Sequence, residues 1–260
     1  MKKESVFDKE RYAWATIYRP KTINEMALAP PYREEMLMIE DMGYIPNSII
    51  LHGSPGCGKT TLARILGSLP EYSLHEIDCG EDSSKKNFQT LVGSITSGIV
   101  SGERKRLVFL DEFNKLQENT QQTLNAAMED TAKTNTFIIA TNYLNNITPQ
   151  LNNRCKKFHM NFCVYDDKQD KVEMFTKDHG MNKSDWIKEL RRAARLVARK
   201  TKVKVPVEIF EMVEENGANL ESVRGYMRSV GDACMKNDYN SKSQKRVSSK
   251  NAVRKLLKKR

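Results

Sequence analysis

The residues best suited to chemistry cluster first at 48–61, S-I-I-L-H-G-S-P-G-C-G-K-T-T, where a short apolar run empties into a glycine-rich loop and then Lys59-Thr60-Thr61. Gly53, Gly56 and Gly58 have no side chain, so the loop can take dihedrals that turn successive amides towards phosphate oxygens. A helix opening at Thr61 adds the favourable end of its dipole. Lys59 has the reach and charge for the β- and γ-phosphates of ATP, and the Thr60 hydroxyl can complete a Mg²⁺ shell. Residues 53–60 follow the Walker A pattern, with Cys57 and Thr61 as further members of the same phosphate site.

A second cluster is R-L-V-F-L-D-E at 106–112, an apolar strand ending in two carboxylates, the Walker B pattern. Catalytic groups in a parallel sheet emerge at the carboxyl ends of strands, which predicts Asp111 beside the glycine-rich loop. There Asp111 can hold Mg²⁺ through water, while Glu112 can orient or deprotonate an attacking water. A further apolar run, T-F-I-I-A at 136–140, ends at Thr141-Asn142, and the Asn142 amide can bond the lytic water or the γ-phosphate.

These groups need a scaffold that brings strand ends together. Consecutive apolar residues at 49–51 read as a strand buried on both faces. Strands are expected also at 72–78, 106–112, 136–140 and 156–162, with helices between them after Pro30-Pro31, from Thr61, near 88–95 and over 117–128. Residues 14–20, W-A-T-I-Y-R-P, carry a proline that excludes helix at Arg19, so an extended segment able to pack on a base is expected. From 165 the apolar spacing becomes helical: Trp186, Leu190, Ala193 and Val197, then a helix begun by Pro206 and ended by Gly217, then one over 220–235. In this last helix Arg224 and Arg228 face either solvent or nucleotide. The expected architecture is α/β, with a P-loop domain at 1–164, a small all-α domain at 165–237 and a basic tail at 238–260, disordered or a short amphipathic helix.

The chain has 260 residues, 39% of them hydrophobic, enough for a core. Residues 1–11 are charged throughout and no long apolar run occurs, which predicts a soluble protein without membrane association, in the cytoplasm or a host's cytoplasm. Five scattered cysteines without a C-x-x-C pair predict reduced thiols and no metal other than nucleotide-bound Mg²⁺. The net charge of +10 belongs to the end of the chain: nine Lys or Arg and no acid follow Tyr239, leaving +1 for the rest.

Tyr18-Arg19-Pro20, the glycine-rich loop, Leu110-Asp111-Glu112, Ala140-Thr141-Asn142 and Asn153-Arg154-Cys155, taken in order and spacing, resemble the ATPase subunits of sliding-clamp loaders. These are AAA+ proteins of the replication factor C group, and the pattern is nearest to that of T-even phages. The resemblance runs from Trp14 to about Met235. It implies a five-stranded parallel sheet with helices on both faces, then a three-helix lid, with ATP between them. By the same resemblance Ala15, Thr16, Ile17 and Tyr18 line the adenine pocket and Ala27 walls it. Asn142 is the strand sensor, Arg224 the lid's sensor arginine and Arg154 a finger acting on a neighbour's ATP, although Asn153 stands where the family has serine. Gln121 relays DNA contact to the Walker B carboxylates, and Lys85 and Lys86 face DNA. The family's helical collar after the lid has no counterpart in the basic tail.

The expected activity is therefore ATP binding and hydrolysis that open a sliding clamp and place it on primer-template DNA in replication. Other loader subunits, in a hetero- or homo-oligomer, the clamp and the DNA are the expected partners. Two alternatives fit the same motifs: another DNA-remodelling AAA+ ATPase, such as a helicase loader or branch-migration motor, and a non-hydrolysing ATP-binding scaffold.

Overall fold

A computed structural model describes residues 12–17, 19–80, 85–96, 104–160 and 183–257. The apolar run L-V-F-L at 107–110 and its counterparts build a sheet of five parallel strands: β1 (Ile49–His52), β2 (Tyr72–Asp78), β3 (Lys105–Asp111), β4 (Asn135–Thr141) and β5 (Lys156–His159). Their order across the sheet is β2-β3-β4-β1-β5. Ile49 pairs with Ile138 on one side and Lys156 on the other, and Leu107 pairs with Thr136. Every residue of β4 is buried, as a central strand covered on both faces must be. Edge strand β2 alternates more, and β5 is exposed at its first two residues.

Side chains of period two divide the core between the sheet's faces. Ile49, Leu51, Leu107, Phe109 and Ile138 meet helices α2 (Pro30–Met42) and α3 (Lys59–Gly67) through Met36, Ile39, Leu62 and Leu66. Ile50, Val108, Leu110, Phe137 and Ile139 meet α4 (Lys85–Thr96), α5 (Glu118–Asp130) and α6 (Pro149–Arg154) through Phe88, Val92, Leu124, Met128 and Leu151. Pro30 stands at the start of α2, and Gly43 ends it in the left-handed conformation at φ 61°.

Three further helices form a second core. They are α7 (Lys183–Thr201), α8 (Val207–Glu215) and α9 (Val223–Leu257). Trp186, Leu190, Ala194, Phe210, Tyr226 and Val230 fill the space between them, and Tyr12 and Trp14 from the other end of the chain enter the same cluster. Gly231 permits this close docking, because a Cβ there would lie 2.4 Å from the Tyr12 carbonyl oxygen. The part of the expected helical domain at 165–182, and Cys163 with it, lie outside the described residues. Cys57, Cys79, Cys155 and Cys234 are buried.

One expectation is corrected. Residues 14–17 are not extended: Trp14–Ile17 forms one helical turn, α1. The proline restricts only Arg19, while burial of Trp14 against α9 organises the turn before it. Of the two forms expected for the basic tail, disordered or helical, the structure has the helical one, as α9 runs unbroken from Val223 to Leu257. No glycine or proline follows Gly231, and residues such as Lys, Arg, Gln, Ala and Leu extend a helix once it has been nucleated. Among the described residues no helix is long and apolar enough to cross a membrane, and no group of three or more His, Cys, Asp or Glu could hold a metal ion.

Candidate nucleotide site

The carboxyl ends of β1, β3 and β4 meet beside the amino terminus of α3. Gly53, Gly56 and Gly58 have φ of 145°, 84° and 110°, a region that favours glycine and lets the loop curl around the helix end. Helix α3 begins at Lys59, two residues before the expected start at Thr61. Its orphan first-turn amides therefore point at the loop.

Lys59 is buried, and its ammonium donates to the Gly53 carbonyl at 2.6 Å, the Ser54 carbonyl at 3.1 Å and Asn142 Oδ1 at 2.9 Å. Gly53 thus contributes through its carbonyl rather than as a wall. The Asn142 amide N–H donates to Asn114 Oδ1 at 3.2 Å, so Asn114 sets the strand-end asparagine in place. Burial pushes the Cys57 thiol up, against the pull of the Lys59 ammonium 3.8 Å from its sulfur.

Thr60 Oγ1 donates to Asp111 Oδ2 at 2.8 Å. Two oxygen ligands at that separation, open to a water-accessible cavity, suit Mg²⁺, which keeps several waters and takes only one or two protein oxygens. Glu112 follows in the left-handed conformation at φ 53°, its amide donating to Asp111 Oδ1 at 2.9 Å. The Glu112 carboxylate is paired with Lys115, whose ammonium is pushed up by that hydrogen bond.

A cavity of ≈480 Å³ extends from these groups to the three-helix unit. Ala15, Ala27, Gly56, Cys57, Gly58, Lys59, Thr60, Thr61, Asp111, Glu112, Asn142 and Arg224 line it, which brings together most of the residues expected from sequence. The Arg224 amide donates to the Gly56 carbonyl at 3.1 Å, and Ser54 Oγ donates to the Glu221 carbonyl at 3.2 Å. The three-helix unit thus packs directly on the glycine-rich loop.

Several expected residues are placed elsewhere. Thr16 is exposed and is not part of the cavity wall, because the helical turn of α1 directs it away. Ile17 contributes only its backbone to the description, and Tyr18 lies outside the described residues, as do the side chains of Lys85 and Lys86 at the start of α4. Gln121 is buried; its amide nitrogen donates to the Leu116 and Asn146 carbonyls, and its oxygen accepts from the Thr148 amide. It therefore ties α5 to the loop before α6 without bonding either Walker B carboxylate. Arg154 ends α6 away from the cavity and is paired with Glu129 of α5.

Other walls were not foreseen. Asn114 follows the Walker B carboxylates by two residues, a position that the strand pattern alone does not flag. Met26, Ala193, Val197, Val223 and Met227 supply apolar surface at the far end. Ala193 and Val197 stand at i,i+4 on a helix face shared between core and cavity.

Residues 49–162 match the model of the AAA family, the ATPases associated with various cellular activities. The chain is 32% identical over 112 residues to the replication factor C large subunit of Methanococcus aeolicus, covering 42% of this chain and 24% of the relative. It is 27% identical over 150 residues to the small subunit of Methanosphaera stadtmanae, 56% of this chain and 46% of that one. Replication factor C subunit 3 of Saccharomyces cerevisiae is 27% identical over 156 residues, 58% of this chain and 46% of that one. The chain spans about half or less of the length of these relatives. Among solved structures, a variant of RuvB from Thermotoga maritima superposes with a TM-score of 0.58 at 20% identity, covering 81% of this chain and 63% of that one. The fold is an AAA P-loop fold.

Proposed function

We propose that this chain is an ATP-hydrolysing subunit of a sliding-clamp loader, using ATP binding to grip a clamp and primer-template DNA and hydrolysis to release them. The observation that carries the reading is the convergence of Lys59, Thr60, Asp111, Glu112 and Asn142 on one cavity that the lid closes through Arg224. Its similarity to replication factor C subunits supports clamp loading among the activities such a site can drive.

In this reading the glycine-rich loop and the first amides of α3 hold the phosphates, with Lys59 turning from its carbonyl partners towards them. Thr60 and Asp111 would hold Mg²⁺, which would supply charge neutralisation to the phosphates. Glu112 takes a proton from water as the water oxygen bonds the γ-phosphorus and the bond to the ADP oxygen breaks. Asn142 orients the γ-phosphate or that water, and Arg224 reaches it from the lid. Arg154, remote from its own cavity, acts across a subunit boundary on a neighbour's ATP. Lys85, Lys86 and the basic end of α9 are the DNA-facing groups, and a phage-type loader is the form nearest the motif spacing.

Glu112→Gln keeps the side-chain size and removes the base. The variant should bind ATP normally and lose turnover by about 10² or more. Wild-type turnover in Glu112→Gln would overturn the assignment. Clamp loading is tested by ATP-dependent retention of a purified sliding clamp. A chain that hydrolyses ATP on DNA but ignores the clamp is instead a remodelling motor, and one that binds ATP in the full assembly without turnover is a scaffold.

A further inference from the structure

Glu189 lies on α7, one turn before Ala193 and two before Val197, the residues through which that helix lines the cavity. Its carboxylate accepts from two arginines on different parts of the chain. Arg33 of α2 bonds it through both terminal nitrogens, one at 3.2 Å, and Arg192 of α7 bonds it through Nε at 3.0 Å. Neither guanidinium stops there. Arg33 also donates to the Leu28 carbonyl at 3.1 Å, Arg192 donates to the Asn24 carbonyl at 2.7 Å, and both reach the Met26 carbonyl. Lys200, further along α7, is paired with Glu25.

The segment held in this way, 24–28, supplies Glu25, Met26 and Ala27 to the cavity wall. Met26 is buried, and its terminal methyl would lie 3.1 Å from a Cβ on Gly58, so it abuts the phosphate loop itself. One carboxylate therefore fixes two walls at once: the backbone of 24–28 through the arginine forks, and the Ala193–Val197 face through its own helix. The Glu189 side chain is only 13% exposed and that of Arg33 17%, so water competes poorly for these bonds.

We propose that Glu189 is a positioning residue for the nucleoside half of the site, holding the 24–28 wall and α7 in register around the base and ribose while leaving the phosphate half to the glycine-rich loop. The inference rests on the nucleotide-binding reading above. It separates two parts of one ligand, and that separation can be measured. Glu189→Gln keeps the shape but leaves two guanidiniums without their shared counter-charge, so the forks lose their anchor.

The experiment measures the affinity of the full chain for Mg-ATP and for Mg-tripolyphosphate, which has the phosphates and no nucleoside. Glu189→Gln should weaken ATP about tenfold and leave tripolyphosphate unchanged, a size in line with the coupling of groups in one bonded network. Arg192→Lys retains the positive charge beside Glu189 but not the planar fork to the Asn24 and Met26 carbonyls, and should show the same selective loss. Adding Arg33→Gln to Glu189→Gln should cost little more, because the anchor is already gone. Equal weakening of both ligands in either single variant, or no weakening of ATP, overturns the proposal. If Glu189→Gln fails to fold, Arg192→Lys decides alone by the same comparison. A wild-type chain that binds tripolyphosphate and ATP equally overturns the nucleoside wall itself, whereas one that binds neither overturns the nucleotide reading on which it stands.

Discussion

The Thr60 hydroxyl donates to the Asp111 carboxylate across 2.8 Å, tying the first turn of α3 to the end of β3. These groups arrive from two different elements, and their bond marks where a divalent cation with few protein ligands fits. Asp111→Asn removes the charge and keeps the shape. Turnover should fall by about a hundredfold or more, the scale of an electrostatic contribution worth several kcal/mol. Chelating Mg²⁺ from the wild type should produce a similar loss, and chelation should add nothing further in Asp111→Asn. An additive effect would place the metal elsewhere.

Arg154 and Glu129 form a half-exposed ion pair, with side chains 33% and 54% accessible, and such pairs contribute about 0–1 kcal/mol. Arg154→Ala should therefore leave the melting temperature and the ATP affinity of the isolated chain nearly unchanged. In the assembled oligomer the same change should lower turnover by about 10³ if the arginine acts on a neighbour's ATP. A large loss of stability in the isolated chain would make Arg154 structural.

How much of this could be read in the sequence depends on whether the signal was local. The three glycines, Lys59 and Thr60 lie within one loop, and the apolar runs of β1, β3 and β4 announce a buried parallel sheet by themselves. Helix α1 was misread because a local rule at Pro20 carries no information about Trp14 packing on α9 more than two hundred residues later. Asn114 against Asn142 and Arg33 on Glu189 are likewise pairings whose partners no spacing rule selects, whereas Lys115 on Glu112 and Arg192 on Glu189 stand at the i,i+3 spacing of helical pairs. The end of α9 stays open in the sequence for another reason: its composition matches both a disordered basic tail and a solvated helix, and continuity with a packed helix decides between them.

In the three-helix unit, Glu214 accepts from Arg191 at 2.9 and 2.6 Å and from the Tyr226 hydroxyl at 2.7 Å. Burial alone would raise the Glu214 carboxyl, but the Arg191 and Tyr226 bonds outweigh it and hold the group below the ordinary value of 4.5. A carboxyl depressed on folding stabilises fully above its unfolded value, and the contribution disappears as pH falls through the folded value. Urea denaturation should thus show stability declining below about pH 4.5, partly through this group. Glu214→Gln should lose about 1–3 kcal/mol at pH 7 and decline less steeply in acid. An unchanged slope in that variant would remove Glu214 from the account.

Two helical glycines should respond to the same substitution with opposite signs. Alanine is preferred to glycine in a helix interior by up to about 1 kcal/mol, so Gly→Ala ordinarily stabilises. Gly93 of α4 has open space where a Cβ would go, and Gly93→Ala should raise stability by an amount within that limit. At Gly231 of α9 the added Cβ would meet the Tyr12 carbonyl oxygen at 2.4 Å, with the Trp14 ring at 3.5 Å behind it. Backbone cannot yield as a flexible side chain does, so the segment bearing Tyr12 and Trp14 must move off the lid. Gly231→Ala should destabilise by about 1–3 kcal/mol despite its better helix propensity. Because Trp14 and Ala15 line the cavity, it should also weaken ATP binding, whereas Gly93→Ala should not. Stabilisation by both substitutions would show that the amino-terminal segment does not rest against α9 in solution.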